Sequence, residues 1–211
     1  PFPERPPDPM VEIKSAAEIE KMRRASAIVA EVLVLLKKLV TPGATTAELN
    51  AFAEREIRSR GGEPAFLGYR GYPATLCVSI NEEVVHGIPS ESRKIAEGDI
   101  VSLDLGCVCK NYYGDAALTV AAGKISREAA RLMAVTEQSL SAALAQVRDG
   151  ARLGDVCHAV ERCAGAAGFS VVREFTGHGI GRRLHEEPSI PNFGRAGTGP
   201  VLKAGMTLAI E

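Results

Sequence analysis

The sequence has no excess of basic charge. Its 25 lysines and arginines stand against 26 acidic residues, and no basic cluster breaks the balance, so nothing points to a nucleic-acid or membrane surface. Long hydrophobic runs are missing too. The longest apolar stretch, IVAEVLVLLKKLV, is interrupted by Glu31, Lys37 and Lys38 and falls short of the roughly 20 apolar residues of a transmembrane helix. No signal-peptide pattern precedes it. The cysteines, Cys77, Cys107, Cys109, Cys157 and Cys163, are odd in number and lack the paired CxxC spacing of a zinc ribbon. Reduced thiols, buried as small hydrophobes in a cytoplasmic protein, are therefore expected. The zincin pattern HExxH is absent as well. What is present is a chain of 211 residues with 45% hydrophobic content, enough for a sizeable core and suited to a small or peptidic partner.

The opening PFPERPPDP is too rich in proline for helix or central strand and reads as an arm over residues 1–10. Beyond it, Ile19, Met22, Ala25, Val29, Val32, Leu36 and Leu39 recur at three- and four-residue spacing. That period predicts an amphipathic helix ending before Pro42–Gly43. A second helix is expected in TTAELNAFAEREIRSRGG, capped by Thr45 or Thr46 and ended by Gly61–Gly62. The same grammar returns 107 residues later, where Gly43, Ala44, Glu54, Arg55 and Gly61 align with Gly150, Ala151, Glu161, Arg162 and Gly168. This duplication predicts two similar halves, about 11–123 and 124–211, each with two helices followed by strands. TLCVSI, DIVSLDLGCVC and YYGDAALTV read as antiparallel strands.

Alternation in IVSLDLG places Val101, Leu103 and Leu105 on one face and Asp104 on the other. A carboxylate inside such a strand is costly unless something pairs with it. If Lys110–Asn111 form a two-residue hairpin turn, Cys109 faces Tyr112 and Asp115 faces Gly106, diagonal to Asp104 on the same side. Diagonal neighbours lie roughly 7–8 Å apart, close enough to grip one or two cations. An odd-length loop would place the two acids on opposite faces. Further on, FTGHGIGRRLHEEP carries His178 and His185 among glycines that argue against helix and permit close backbone approach. His86 stands at a strand end in VVHGIP, His158 reads as a structural residue of its helix, and Glu211 follows the apolar MTLAI. Oxygen donors with one imidazole suit manganese, iron or cobalt, and can also hold zinc.

The segments LGYRGYP, SINEEVVHGIP, GDIVSLDLG, GDAALT, GHGIGRRLHEEP and GMTLAIE together resemble the type I methionine aminopeptidases, and the resemblance covers nearly the whole chain from Val11. It implies an α+β pita-bread fold, two pseudo-symmetric α/β halves around a central antiparallel sheet, forming one catalytic domain over 11–211. That family holds two divalent metal ions with ligands in the order Asp, Asp, His, Glu, Glu. Asp104, Asp115, His178 and Glu211 match the first four. The fifth, a bridging glutamate, falls beyond the end of the chain, so the expectation is a C-terminally truncated chain with an incomplete second half and an unstable, weakly active or inactive 211-residue piece.

By the same resemblance the protein removes the initiator methionine from nascent polypeptides, using metal-activated hydroxide. His86, His185 and Glu211 would be its catalytic residues: Glu211 as ligand and proton shuttle, His185 on the scissile carbonyl, His86 near the scissile amide. Phe66, Tyr69, Tyr72, Cys77 and Leu184 would line the methionine pocket together with His86 and His185. Phe66 stands where the family often has cysteine, and Leu184 where it often has an aromatic. A cytoplasmic monomer is implied, acting on nascent-chain N-termini, in the ribosome's vicinity if its arm docks there, with no nucleic-acid or membrane binding. Two alternatives accompany this reading: a non-catalytic pita-bread binding protein, and a proline-specific pita-bread peptidase.

Overall fold

The computed structural model describes residues 11–211; the expected arm at 1–10 lies outside the described residues. The chain forms two compact units, one of Ala17–Gln138 and one of residues 11–16 with Ser139–Glu211. No helix among the described residues is long and apolar enough to cross a membrane.

In the first unit, helix α1 (Ala16–Lys37) buries Met22, Ala25, Ile28, Val29, Val32, Leu33 and Leu36 along one stripe, the face expected from the period of its apolar residues. It stops at Lys37, earlier than the periodicity suggested, and Leu39 is left exposed. Helix α2 (Thr46–Ser59) begins at a capping box: Thr45 accepts from the Glu48 amide, and the Glu48 side chain accepts from the Thr45 amide. Both helices contribute to a core shared with strands β2 (Leu76–Ile80) and β3 (Ile100–Cys109), where Leu76, Val78, Val101, Leu103 and Leu105 are buried. The short β1 (Glu63–Pro64) and β2 pair with one edge of β3, and β4 (Tyr112–Ala121) with the other, all antiparallel.

The second unit contains the end of α3 (Arg127–Leu144), α4 (Leu153–Ala166), and a three-stranded antiparallel sheet in the order β6 (Glu186–Pro191), β5 (Thr176–Gly179), β7 (Leu208–Ala209). Its core joins Leu153, Val156, Cys157, Ile190 and Leu202.

The duplication read from the text recurs in the hydrogen bonds of each unit. The Gly43 amide donates to the Ile95 carbonyl at 2.8 Å and the Ile95 amide to Ala44 at 2.9 Å; Gly150, Leu202 and Ala151 repeat the pair at 2.9 and 2.8 Å. The isolated bridge Thr45–Lys94 returns as Arg152–Val201, at the same 107-residue offset. The Thr45 amide donates to Glu48 and the Arg152 amide to Asp155. Arginine has no acceptor with which to complete the second capping box, so that α4 start keeps only half of it.

Four of the five cysteines are buried, Cys163 is half-buried, and all are free thiols, in keeping with their reading as small hydrophobes.

Candidate metal centre

Each unit carries part of the set singled out in the sequence. In the first, Lys110 and Asn111 form the two-residue turn between β3 and β4 with φ of 52° and 63°, the doubly positive pattern of a type I′ hairpin. That turn sets Cys109 opposite Tyr112, Gly106 opposite Asp115, and Asp104 opposite Ala117. Asp104 and Asp115 are therefore diagonal neighbours on one face, as the even-length loop required, and both are half-buried. A side chain at Gly106 would lie 2.5 Å from the Phe66 ring. The missing Cβ is what lets that ring lie against the strand directly across from Asp115.

Cys77, on β2, faces Asp104 across the ladder. Burial pushes its thiol up to about 12; the Tyr72 hydroxyl opposes this, and the Asp104 and Asp115 carboxylates raise it further. Cys77 therefore remains a neutral thiol beside two acids. Tyr72, read as a pocket residue, has its hydroxyl 3.1 Å from both the Leu76 and Gly87 carbonyls, and burial, with Cys77 beside it, pushes its pKa above the ordinary tyrosine value. A backbone turn links these aromatics: the Tyr69 amide donates to Phe66 and the Tyr72 amide to Tyr69. The Tyr69 ring also lies under the Arg70 guanidinium, at 5.4 Å. His86 is exposed at a φ of 61°, and its backbone hydrogen-bonds the Cys77 thiol.

In the second unit, His178 on β5 is 6% exposed. Side chains at Gly177 and Gly179 would meet the Ala209 carbonyl at 2.4 Å and the Glu187 carbonyl at 2.1 Å, so glycine on both sides of the histidine admits its neighbouring strands. The pairing with β6 shifts register between His178 and Gly179, where Glu187 and Pro188 of β6 are left without partners. Nδ1 of His178 lies 2.8 Å from the Gly179 carbonyl. A carbonyl can only accept, so Nδ1 carries the proton and Nε2 is left to face Glu211, whose Oε1 is 3.2 Å away. An imidazole nitrogen and a carboxylate oxygen brought together in this way are a donor pair that a divalent cation can share, with the imidazole fixed by its other nitrogen. The β7 ladder ends at Ala209, so Glu211 sits just past the strand expected to deliver it.

His185 stacks obliquely on His178, with ring centroids 4.2 Å apart, and follows the buried Leu184. Next to it, Glu186 accepts from the Lys14 ammonium at 2.6 Å and from the Arg183 amide at 3.0 Å. This ion pair under the histidine loop carried no signal in the sequence, since the partners lie 172 residues apart. His158 hydrogen-bonds the Gly194 carbonyl at 3.1 Å, the structural role expected of it.

The sequence profile of metallopeptidase family M24 matches residues 20–211. A methionine aminopeptidase of Clostridium acetobutylicum is 49% identical over 202 residues, covering 96% of this chain and 81% of the relative; one of Bacillus subtilis is 46% identical over the same shares. Among solved structures, the methionine aminopeptidase of Thermotoga maritima superposes with a TM-score of 0.94 at 45% identity, covering 95% of this chain and 81% of that one. The prolidase of Pyrococcus furiosus, at 24% identity and a TM-score of 0.82 over 94% of this chain and 56% of its own, shares the fold. With its profile match and these relatives, the chain belongs to metallopeptidase family M24.

Proposed function

We propose that the protein is a metal-dependent methionine aminopeptidase that removes the N-terminal methionine from nascent polypeptides. The observation that carries this reading is the 44–49% identity to methionine aminopeptidases over nearly the whole chain, together with the donor pair His178–Glu211.

Asp104, Asp115, His178 and Glu211 are the ligands in this reading, for two ions of the manganese, iron, cobalt or zinc type. When bound, such ions supply Lewis acidity and a nucleophilic water at neutral pH. The chain's own side chains do the rest. Glu211 accepts and relays a proton as well as binding, His185 donates to the scissile carbonyl oxygen, and His86 donates towards the departing amide nitrogen. Phe66, Tyr69, Tyr72, Cys77 and Leu184 offer a largely apolar surface suited to a thioether. In this reading the protein works as a monomer in the cytoplasm, on chains emerging from the ribosome; its free thiols fit a reducing compartment.

The proline-specific reading draws support only from neighbours such as the 24%-identical prolidase, which speak to fold. Assaying the full-length protein on Met-Ala-Ser and on Xaa-Pro dipeptides separates the two. Methionine release with no cleavage of the proline dipeptides is expected; the reverse preference would overturn the reading. A folded, metal-binding protein that cleaves neither would favour a non-catalytic role.

A further inference from the structure

His86 has a left-handed backbone, with φ of 61°, a conformation that costs a non-glycine residue energy unless its surroundings hold it. The hold is on the next residue. Gly87 is buried, and a side chain there would lie 2.1 Å from the Val78 carbonyl, so its backbone lies directly on the free edge of β2. Both of its polar backbone atoms are engaged. Its carbonyl accepts from the Val78 amide at 2.9 Å and lies 3.1 Å from the Tyr72 hydroxyl. Its amide donates to the Ser79 hydroxyl at 3.0 Å, in a buried contact.

Ser79 is 3% exposed and sits on the strand that also carries Cys77, opposite Asp104. Its partner across the ladder is Ser102, whose own hydroxyl is bonded to Thr119. A buried serine hydroxyl inside a strand of Leu76, Val78 and Ile80 is costly unless it has a task. The task visible here is to satisfy the one Gly87 donor that no strand partner reaches. The loop beyond is tied down independently: the Ile80 amide donates to the Glu83 carboxylate at 2.8 Å, Arg93 pairs with Glu83, and the Asn81 side chain bonds Asp99 at 2.7 Å. Removing the Ser79 hydroxyl therefore frees the His86–Gly87 peptide without releasing the rest of the loop.

We propose that Ser79 is a positioning residue for the aminopeptidase reaction: its hydroxyl fixes the Gly87 amide and so holds His86 in the strained conformation that aims its imidazole at the scissile amide. This rests on the role given to His86 above.

The test is a double-mutant cycle on methionine release from Met-Ala-Ser, with Ser79→Ala and His86→Ala made singly and together. His86→Ala alone should lower kcat about 100-fold or more, as loss of a proton donor does. Ser79→Ala should lower kcat about tenfold with little change in KM when His86 is present, and less than about twofold when it is alanine. An equal loss in both backgrounds would make Ser79 a general structural residue and overturn the proposal. Unchanged kcat in His86→Ala would instead remove the His86 role itself, a different failure. If Ser79→Ala does not fold, Ser79→Cys keeps the volume while offering a poor acceptor, and the same cycle applies.

Discussion

The Lys14 ammonium lies 2.6 Å from the Glu186 carboxylate, and the two side chains are only 3% and 2% exposed. The pair ties the segment before α1 to the residue that follows His185, within one unit. Glu12 approaches the same ammonium at 3.1 Å from a more exposed position. Breaking a buried pair by removing one partner leaves an uncompensated charge, so Lys14→Met should destabilise the protein by about 3–5 kcal/mol in urea unfolding. Retained stability in that variant would mean that Glu186 finds another partner or protonates.

The same pair sets an acid limit. Burial pushes the Glu186 carboxyl up, but the Lys14 hydrogen bond and the Arg183 amide outweigh it and hold the carboxyl below its ordinary value. A folded pKa below the unfolded one, about 4.3, gives stability that is complete above that unfolded value and is lost as pH falls towards the folded pKa. Thermal melts across pH 3–6 should show this acid loss shrinking in Lys14→Met, where the lowered pKa has lost its main cause.

Gly106→Ala would place a methyl 2.5 Å from the Phe66 ring. Overpacking of that kind costs about 1–3 kcal/mol, and displacing Phe66 should raise KM for methionyl peptides more than it lowers kcat. An unchanged KM would remove Phe66 from the pocket.

Thiol labelling should separate the cysteines. Burial raises Cys77 and Cys107 to about 12, and reactivity belongs to the thiolate. At pH 8 both should resist iodoacetamide in the folded protein while half-buried Cys163 reacts first. Rapid alkylation of Cys77 would contradict its enclosure beside Asp104.

Much of the site was legible as text because its geometry is local. The two-residue turn at Lys110–Asn111 fixes the β3–β4 register, and register alone places Asp104 and Asp115 on one face. The duplication was legible because glycine positions repeat, and the Gly43–Ile95 and Gly150–Leu202 bonds then repeat with them. What escaped was non-local. Nothing near Ser79 marks it as the acceptor for Gly87, because the loop that returns to β2 must fold first. Lys14 reads as an ordinary helix-flanking cation until Glu186 is brought to it. The helix stripe overran at Leu39 because periodicity marks a face and does not mark where the last turn tightens, here with the Leu39 amide bonded to Leu36.

The most direct test of the account is methionine release from Met-Ala-Ser with bound metal measured on the same samples, for the full-length protein and its Asp115→Asn and His178→Ala variants, each before and after chelation. Chelation should abolish turnover, and manganese or cobalt should restore it to the unmodified protein while raising its melting temperature by mass action. Each variant should bind less metal and lose at least about 100-fold in kcat/KM. Full metal content and full turnover in either variant, or turnover that survives chelation, would contradict the ligand roles proposed for Asp115 and His178.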